Sequence, residues 1–449
     1  MRILGSIRVA GVVAALVLAA AAHAETALTA AADTLPHRVT LEEAVALARE
    51  NAPGIIQAEG QRRTSAADVR SAYAAFLPSV SLSAGSSRQL PATGSRTRIE
   101  NGQVITVPTD PWSSNIGLGA SVTLFEGGRR ITDLQQAHGQ ADAAEVNSVV
   151  QVYAAALSVK QQFFNLLAAR ETEMAARSQL AQAEQQKRTA LAQVRARTAT
   201  RSDSLRAEIQ VRSAGLALMD ARDAQEVAVT GLTRAAGSPY PITAAETDSV
   251  AYTGLALSEE ALRELAENAP AVRLAQTALA SARAALRGTW AGYLPSVTAS
   301  YSRGGSGTSA GFALGTDGYS YSGSLRLSLS LPVFNQLQRE GQVTQAQVAV
   351  ENAVAELRDA RLAARGTCTQ LLVAFRSARE RAASQELSVE TAAEDLRVQQ
   401  ARYAVGQSTL LDVLTSQTQM DQARRDLIRA RYDQRIAKAQ LEALLGQDL

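Results

Sequence analysis

The hydrophobic rhythm of this chain switches between a helical period and a period of two. From Leu41 to about Asn51, and again from Gly54 to about Phe76, apolar positions recur at helical spacing. Thr40 is placed to cap the first helix, and Glu42 and Glu43 occupy its first turn, where the helix dipole favours acids. Leu77-Pro78 stops the second helix, because a residue ahead of proline is pushed out of the helical region. Beyond Pro78 the period becomes two. Val80, Leu82 and Ala84 alternate with Ser81, Ser83 and Gly85; later Ile116, Leu118, Ala120, Val122 and Leu124 alternate with Asn115, Gly117, Gly119, Ser121 and Thr123. An apolar face backed by a small, polar one predicts strands that separate lipid from water, rather than a soluble hairpin with one dry face. The intervening stretch, about Arg88 to Ser114, is rich in Pro, Gly, Thr and charge, which predicts an exposed loop.

The helical period then returns and persists. Between Arg129 and about Arg197 there is no proline, and Gly139 is the single glycine, so a helix on the order of 100 Å long is expected at 1.5 Å per residue. No compact domain holds such a rod. A return helix from about Ser202 to Ala236 follows it.

The same succession occurs twice. Glu50-Asn51-Ala52-Pro53 and the Leu77-Pro78-Ser79-Val80 entry reappear as Glu267-Asn268-Ala269-Pro270 and Leu294-Pro295-Ser296-Val297, both 217 residues later. Phe125, Asp203, Leu205 and Gly237 match Phe334, Asp412, Leu414 and Gly446 at an offset of 209. The shorter offset places extra residues between Pro78 and Phe125 of the first copy, as surface loops allow. The second copy is expected to carry a helix from Ala271 to Tyr293, a hairpin with a glycine-rich turn from Gly304 to Gly318, a rod from Gln338 to about Ala404 and a return helix from about Thr409 to Leu445. The expected division is a signal segment at 1–24, a first repeat at 25–236 with its hairpin at 78–126, a linker at 237–257, and a second repeat at 258–449 with its hairpin at 295–334. Pro78 and Pro295 mark the strand entries.

Composition narrows the function. Arg2 and Arg8, an apolar run from Val9 to Ala22 and Ala22-His23-Ala24 read as a cleavable export signal. Without that segment basic and acidic residues balance, which gives no basis for nucleic-acid binding. No later uncharged run is long enough for a membrane helix, so any spanning must be done by strands. Cys368, the one cysteine, lies in a helical run and reads as a buried, inert thiol; with no cysteine at the cleavage site, no N-terminal lipid anchor is expected. His37 and His138 lack a second ligand at helical spacing, so no metal site is expected, and no nucleophile with a base or phosphate loop points to an enzyme or a cofactor.

Four strands cannot close a barrel, which needs about eight, and an open edge in lipid leaves backbone groups unpaired. The chain must therefore assemble with copies of itself. Three copies would supply twelve strands, and the long antiparallel helices would continue the pore as a second, helical tube. The small residues that saturate the helices allow close approach of their axes, while an interrupted stripe including Leu410, Val413, Leu427 and Leu441 holds one side dry.

The twofold repeat, the Leu-Pro-Ser entries, Phe125-Glu126-Gly127-Gly128, and Arg402-Tyr403-Ala404-Val405-Gly406 followed by Leu411-Asp412-Val413-Leu414 resemble the TolC-type outer membrane efflux proteins. The resemblance implies a mainly α chain with a pair of β-hairpins, a homotrimer with a twelve-stranded transmembrane β-barrel in outer membrane lipid, and a periplasmic α-barrel. A periplasmic adaptor and an inner membrane transporter are the implied partners. It also implies that the turns from Arg197 to Asp203 and from Tyr403 to Asp412 form the constricted periplasmic entrance. Asp203, Tyr403 and Asp412 are then gate residues, and Val405, Gly406, Leu411 and Leu414 the adaptor contact. From the residues alone, Asp203 and Asp412 are equally helix N-terminal charges, a role compatible with lining a pore. Ser408 stands where the best-known members carry a gate-locking arginine, and Thr415 where they carry a second acid. The gate is thus looser or held by other bonds, with Arg201 and Arg402 as candidates. The expected function is a passive exit duct for small molecules. The alternatives are a protein-secretion duct of the same architecture and a trimeric coiled-coil scaffold, which would have no use for the hairpins.

Overall fold

The computed structural model of this chain describes residues 36–90, 95–100, 102–108, 111–245, 257–309, 312 and 319–449. The expected signal segment and residues 246–256 of the expected linker lie outside them. The elements run β1 (His37–Val39), α1 (Leu41–Asn51), α2 (Pro53–Ala74), β2 (Ser79–Arg88), β3 (Ser95–Glu100), β4 (Gln103–Pro108), β5 (Trp112–Glu126), α3 (Arg129–Arg195), α4 (Arg201–Ala236), β6 (Ile242–Ala244), α5 (Glu259–Ala266) and α6 (Pro270–Thr289). A 3-10 turn (Trp290–Tyr293) then leads to β7 (Ser296–Ser309), β8 (Ser320–Ser330), α7 (Gln338–Ala404) and α8 (Leu410–Leu445). The fold is mainly helical with a small sheet. Helices α3 and α7 are each 67 residues long and α4 and α8 each 36.

The described residues fall into two compact units. One draws on the described residues within Met1–Pro53, Ala155–Gly254 and Ala374–Ala439, the other on those within Gly54–Ala154, Leu255–Val373 and Gln440–Leu449. In the first, the core is built around Val159, Phe163, Leu166 and Leu232, all fully buried, and is extended by alanines such as Ala183, Ala190, Ala207 and Ala214. Small side chains at these positions let helix axes come close. A short parallel ladder, His37↔Ile242 to Val39↔Ala244, joins β1 to β6, and Arg170 Nη1 donates to Ala244 O at 3.0 Å. Neither strand is signalled in the sequence. Three-residue strands are too short to show a period.

The second unit holds an antiparallel sheet in the order β2-β5-β7-β8. Leu82 pairs with Leu118, Ala120 with Tyr301 and Tyr301 with Leu325, so the apolar positions share one face. On the other, Ser81, Gly119, Ser302 and Ser324 fall in one row. Leu82 and Leu325 are 74% and 79% exposed, and a face of open leucines is what lipid, not water, accommodates. The opposite face satisfies itself by hydroxyl pairs, Ser79 with Ser121 at 2.8 Å and Ser302 with Ser324 at 2.9 Å. No helix among the described residues is long and apolar enough to cross a membrane.

Two expectations need correction. The stretch from Arg88 to Ser114 is not a plain loop: it contains the antiparallel hairpin β3–β4, and β5 already begins at Trp112. Gly102, at φ 80°, lies between the two strands, and the Asn-Gly sequence at 101–102 is a turn signal that the surrounding charges hid. The glycine-rich turn expected from Gly304 is also strand as far as Ser309. A Cβ at Gly305 would meet the Tyr321 ring at 2.6 Å, and one at Gly307 the Tyr319 ring at 2.9 Å. Cross-strand aromatic rings cover these glycines and restore the packing they lack.

Each strand–helix junction has an arginine clamp. Arg339 donates to the carbonyls of Pro332 (2.9 Å), Val333 (3.1 Å) and Gly292 (3.3 Å) while its guanidinium lies 4.7 Å from the centre of the Tyr293 ring. Arg130 lies over Phe76 at 5.6 Å. The turns beside them differ: Gly127 and Gly128 take φ 57° and 83°, whereas Gln336 and Leu337 take φ 59° and 61° without glycine's freedom. Gln336 is exposed, so Gln336→Gly removes left-handed strain with little packing loss and is expected to stabilise the protein by about 0.5–1 kcal/mol. Thermal unfolding of the detergent-solubilised protein checks this; a lower melting temperature contradicts it.

Candidate functional site at the helical turns

The turns joining α3 to α4 and α7 to α8 are built alike. Each long helix ends in a left-handed residue, Arg197 at φ 59° and Gly406 at φ 76°. In each, the next N–H reaches back five residues: Thr198 N to Gln193 O at 3.0 Å, and Gln407 N to Arg402 O at 2.8 Å. These bonds satisfy carbonyls left open at the helix end. Glycine adopts this conformation freely, whereas arginine does so at a cost of about 1 kcal/mol.

Each following helix opens with a reciprocal cap. Asp203 N donates to Thr200 Oγ1 at 3.3 Å, while Thr200 N and Oγ1 donate to Asp203 Oδ2 at 2.9 and 2.7 Å. Thr409 and Asp412 repeat this at 3.3, 2.9 and 2.8 Å, and Ser408 Oγ adds a third donor to Asp412 Oδ2 at 3.1 Å. Ser408 therefore fastens Asp412 within its own turn. The Thr200 hydroxyl and then its N–H hold Asp203 below the usual aspartate range; for Asp412 the causes are the Thr409 N–H, then the Thr409 and Ser408 hydroxyls.

Tyr403 is half-buried against Ala190, Ala207 and Leu410 on one side and Leu396, Val413 and Met420 on the other. Its hydroxyl is buried without a partner, and burial together with the Asp203 charge raises its pKa. It lines a cavity of about 360 Å³ with Gln182, Gln186, Gln400, Leu410 and Val413. Gln182 Oε1 and Gln186 Nε2 are also unpartnered. Of the expected adaptor contacts, Val405 and Leu411 are exposed, Gly406 forms the turn, and Leu414 packs inward on the Leu410 cluster. Arg201 and Arg402 are exposed, and Thr415 bonds its own helix at Leu411 O, 2.9 Å. Pro78 and Pro295 immediately precede β2 and β7.

Sequence reasoning missed a polar layer further along α8. Ser416 Oγ donates to Asp395 Oδ2 at 2.5 Å and Gln417 Nε2 to Asp421 Oδ1 at 3.0 Å, both from buried positions. Burial pushes the Asp421 carboxyl up. The available signal was Ser416, Gln417 and Asp421 interrupting the stripe of Val413, Met420 and Leu427 at helical spacing. Tyr432, buried on Phe164, donates to Glu171 Oε1 at 2.6 Å and was equally unforeseen. Cys368 is buried, with Sγ 3.7 Å from Leu262 O and its pKa raised by burial.

Solved structures share this fold. VceC from Vibrio cholerae aligns with a TM-score of 0.73 at 16% identity over 91% of this chain and 96% of its own. The open-state MtrE outer membrane channel of Neisseria gonorrhoeae gives 0.73 at 22% over 91% and 89%. CusC gives 0.76 at 18% over 92% and 94%. The fold is that of these outer membrane proteins. Residues 44–238 and 261–447 match the outer membrane efflux protein family, and the chain belongs to it. Protein CyaE of Bordetella pertussis is 29% identical over 357 residues, covering 78% of this chain and 71% of CyaE. The protein accordingly resides in the outer membrane and extends into the periplasm.

The caps carry a pH signature. Their contribution is complete above the ordinary aspartate pKa of about 3.9 and is lost as pH falls through the lowered folded-state values. Thr200→Ala is expected to cost about 1 kcal/mol at the start of α4 and to shift its acid fraying to higher pH. Hydrogen exchange of residues 201–206 checks this, and an unchanged profile in acid contradicts the cap assignment.

Proposed function

We propose that the protein is the passive exit duct of a tripartite efflux system, working as a homotrimer with a periplasmic adaptor and an inner membrane transporter. The observation that carries this is the sheet: β2 and β8 are edge strands beside a lipid-compatible face, and only further copies can pair them. Exposed apolar side chains on α4 support self-assembly, since Leu205, Ile209, Leu216 and Val227 recur at helical spacing and lie along one side. The equal lengths of α3 and α7 and of α4 and α8 support two duplicated repeats, 25–236 and 258–449, around a linker at 237–257. The duct makes and breaks no bonds, and its cargo class is set by the transporter.

In this reading the α3–α4 and α7–α8 turns form the entrance. Val405 and Leu411 meet the adaptor beside the turn of Gly406, with Leu414 supporting them from within. Asp203 and Asp412, kept ionised by their caps, bring carboxylates to the entrance; Asp203 is outnumbered by the arginines of its own turn, so a cation preference rests on Asp412, and Tyr403 closes on the cavity beneath it. The test is single-channel recording of the purified protein in planar bilayers. Steady conductance with cross-linking to trimers is expected, as is reduced cation selectivity for Asp412→Ala. A lone, non-conducting monomer would falsify the duct reading, and unchanged selectivity would remove Asp412 from the entrance.

A further inference from the structure

The α3–α4 turn has an unusual charge. From Arg188 to Arg206 there are five arginines, Arg188, Arg195, Arg197, Arg201 and Arg206, all exposed, and one acid, Asp203. Asp203 is engaged by Thr200, and the next acid along α4, Glu208, pairs with Lys187 and with Arg212. Among the described residues, no carboxylate lies within ion-pair distance of Arg195, Arg197 or Arg201.

Arg197 also occupies the position that the other turn gives to Gly406, with its backbone in the left-handed region at φ 59°. The backbone geometry favours glycine, so the arginine sits here against local conformational preference. Strain retained at an exposed position points to a role for the side chain. The two turns offer different chemistry: Val405 and Leu411 make the α7–α8 turn apolar, and Arg397 there is already paired with Glu394 at 2.6 Å.

We propose that the α3–α4 turn is a docking surface for a carboxylate-bearing protein segment, with Arg197 as its central contact. This rests on the duct reading and names the chemistry of the partner that meets this turn. The planar guanidinium fork suits bidentate carboxylates, and open arginines complement acidic side chains without prior desolvation. An anionic membrane surface is the weaker match, because residues 195–204 contain no aromatic or large apolar side chain to enter a bilayer.

The test titrates full-length protein in detergent into a fluorescein-labelled helical peptide bearing four glutamates on one face, read by anisotropy at low and high salt. Salt-sensitive binding is expected, with Arg197→Gly weakening it about three- to five-fold and Arg197→Lys retaining more of it than glycine does. Arg197→Gly relieves the left-handed strain, so it is expected to melt no lower than the original protein, and weaker binding is then not a folding defect. Undiminished binding by Arg197→Gly, equal binding of a glutamine version of the peptide, or tighter binding to phosphatidylglycerol vesicles overturns the proposal. Bilayer recordings on the same preparation separate the two levels. Protein that conducts but ignores the peptide overturns this inference alone, whereas protein that does not conduct overturns the duct itself.

Discussion

Backbone hydrogen bonding in a solvent without water governs this structure. β5 and β7 are paired on both sides, but β2 and β8 each present one open edge. In hydrocarbon an unsatisfied backbone group costs several kcal/mol, so the apolar face of this sheet and its open edges are compatible only when neighbouring strands complete it. The remaining design serves that requirement. Arginine clamps at Arg130 and Arg339 fix where strands give way to helices, and cross-strand tyrosines let a glycine-rich β7 stay extended where bare glycine would weaken it.

Much of this was legible because the helical composition runs long without proline. The 67-residue helices lie within a residue or two of where uninterrupted helical composition put them, and Thr40 caps α1 as its sequence suggested. The capping aspartates were visible as acids three residues into a helix. Features of a few residues were not. The β1–β6 ladder is formed by partners some two hundred residues apart and leaves no local trace. The β3–β4 hairpin was masked by its charged setting, although Asn101-Gly102 is a specific turn signal. Tyr403 lies in the last turn of α7, and nothing in the chain foretold that its hydroxyl would be buried without a partner.

The helical packing explains why polar groups can sit among these helices. Alanine-lined contacts such as Ala190 with Ala207 bury little area per residue, so stability is spread thinly over long helices rather than concentrated in a large core. Against that background Ser416, Gln417 and Asp421 weaken the packing locally, because a half-satisfied polar layer holds helices together less firmly than the apolar layers of Val413 and Met420 beside it.

The pairing of Arg197 with Gly406 has a consequence for mechanics. A glycine hinge rotates through a broad range of backbone angles, whereas an arginine forced left-handed occupies a narrow well and resists twisting. Two hairpins that share length and capping thus differ in compliance, and any ring that alternates them is soft at every second position. Torque applied evenly around such a ring is taken up first at the glycine hinges.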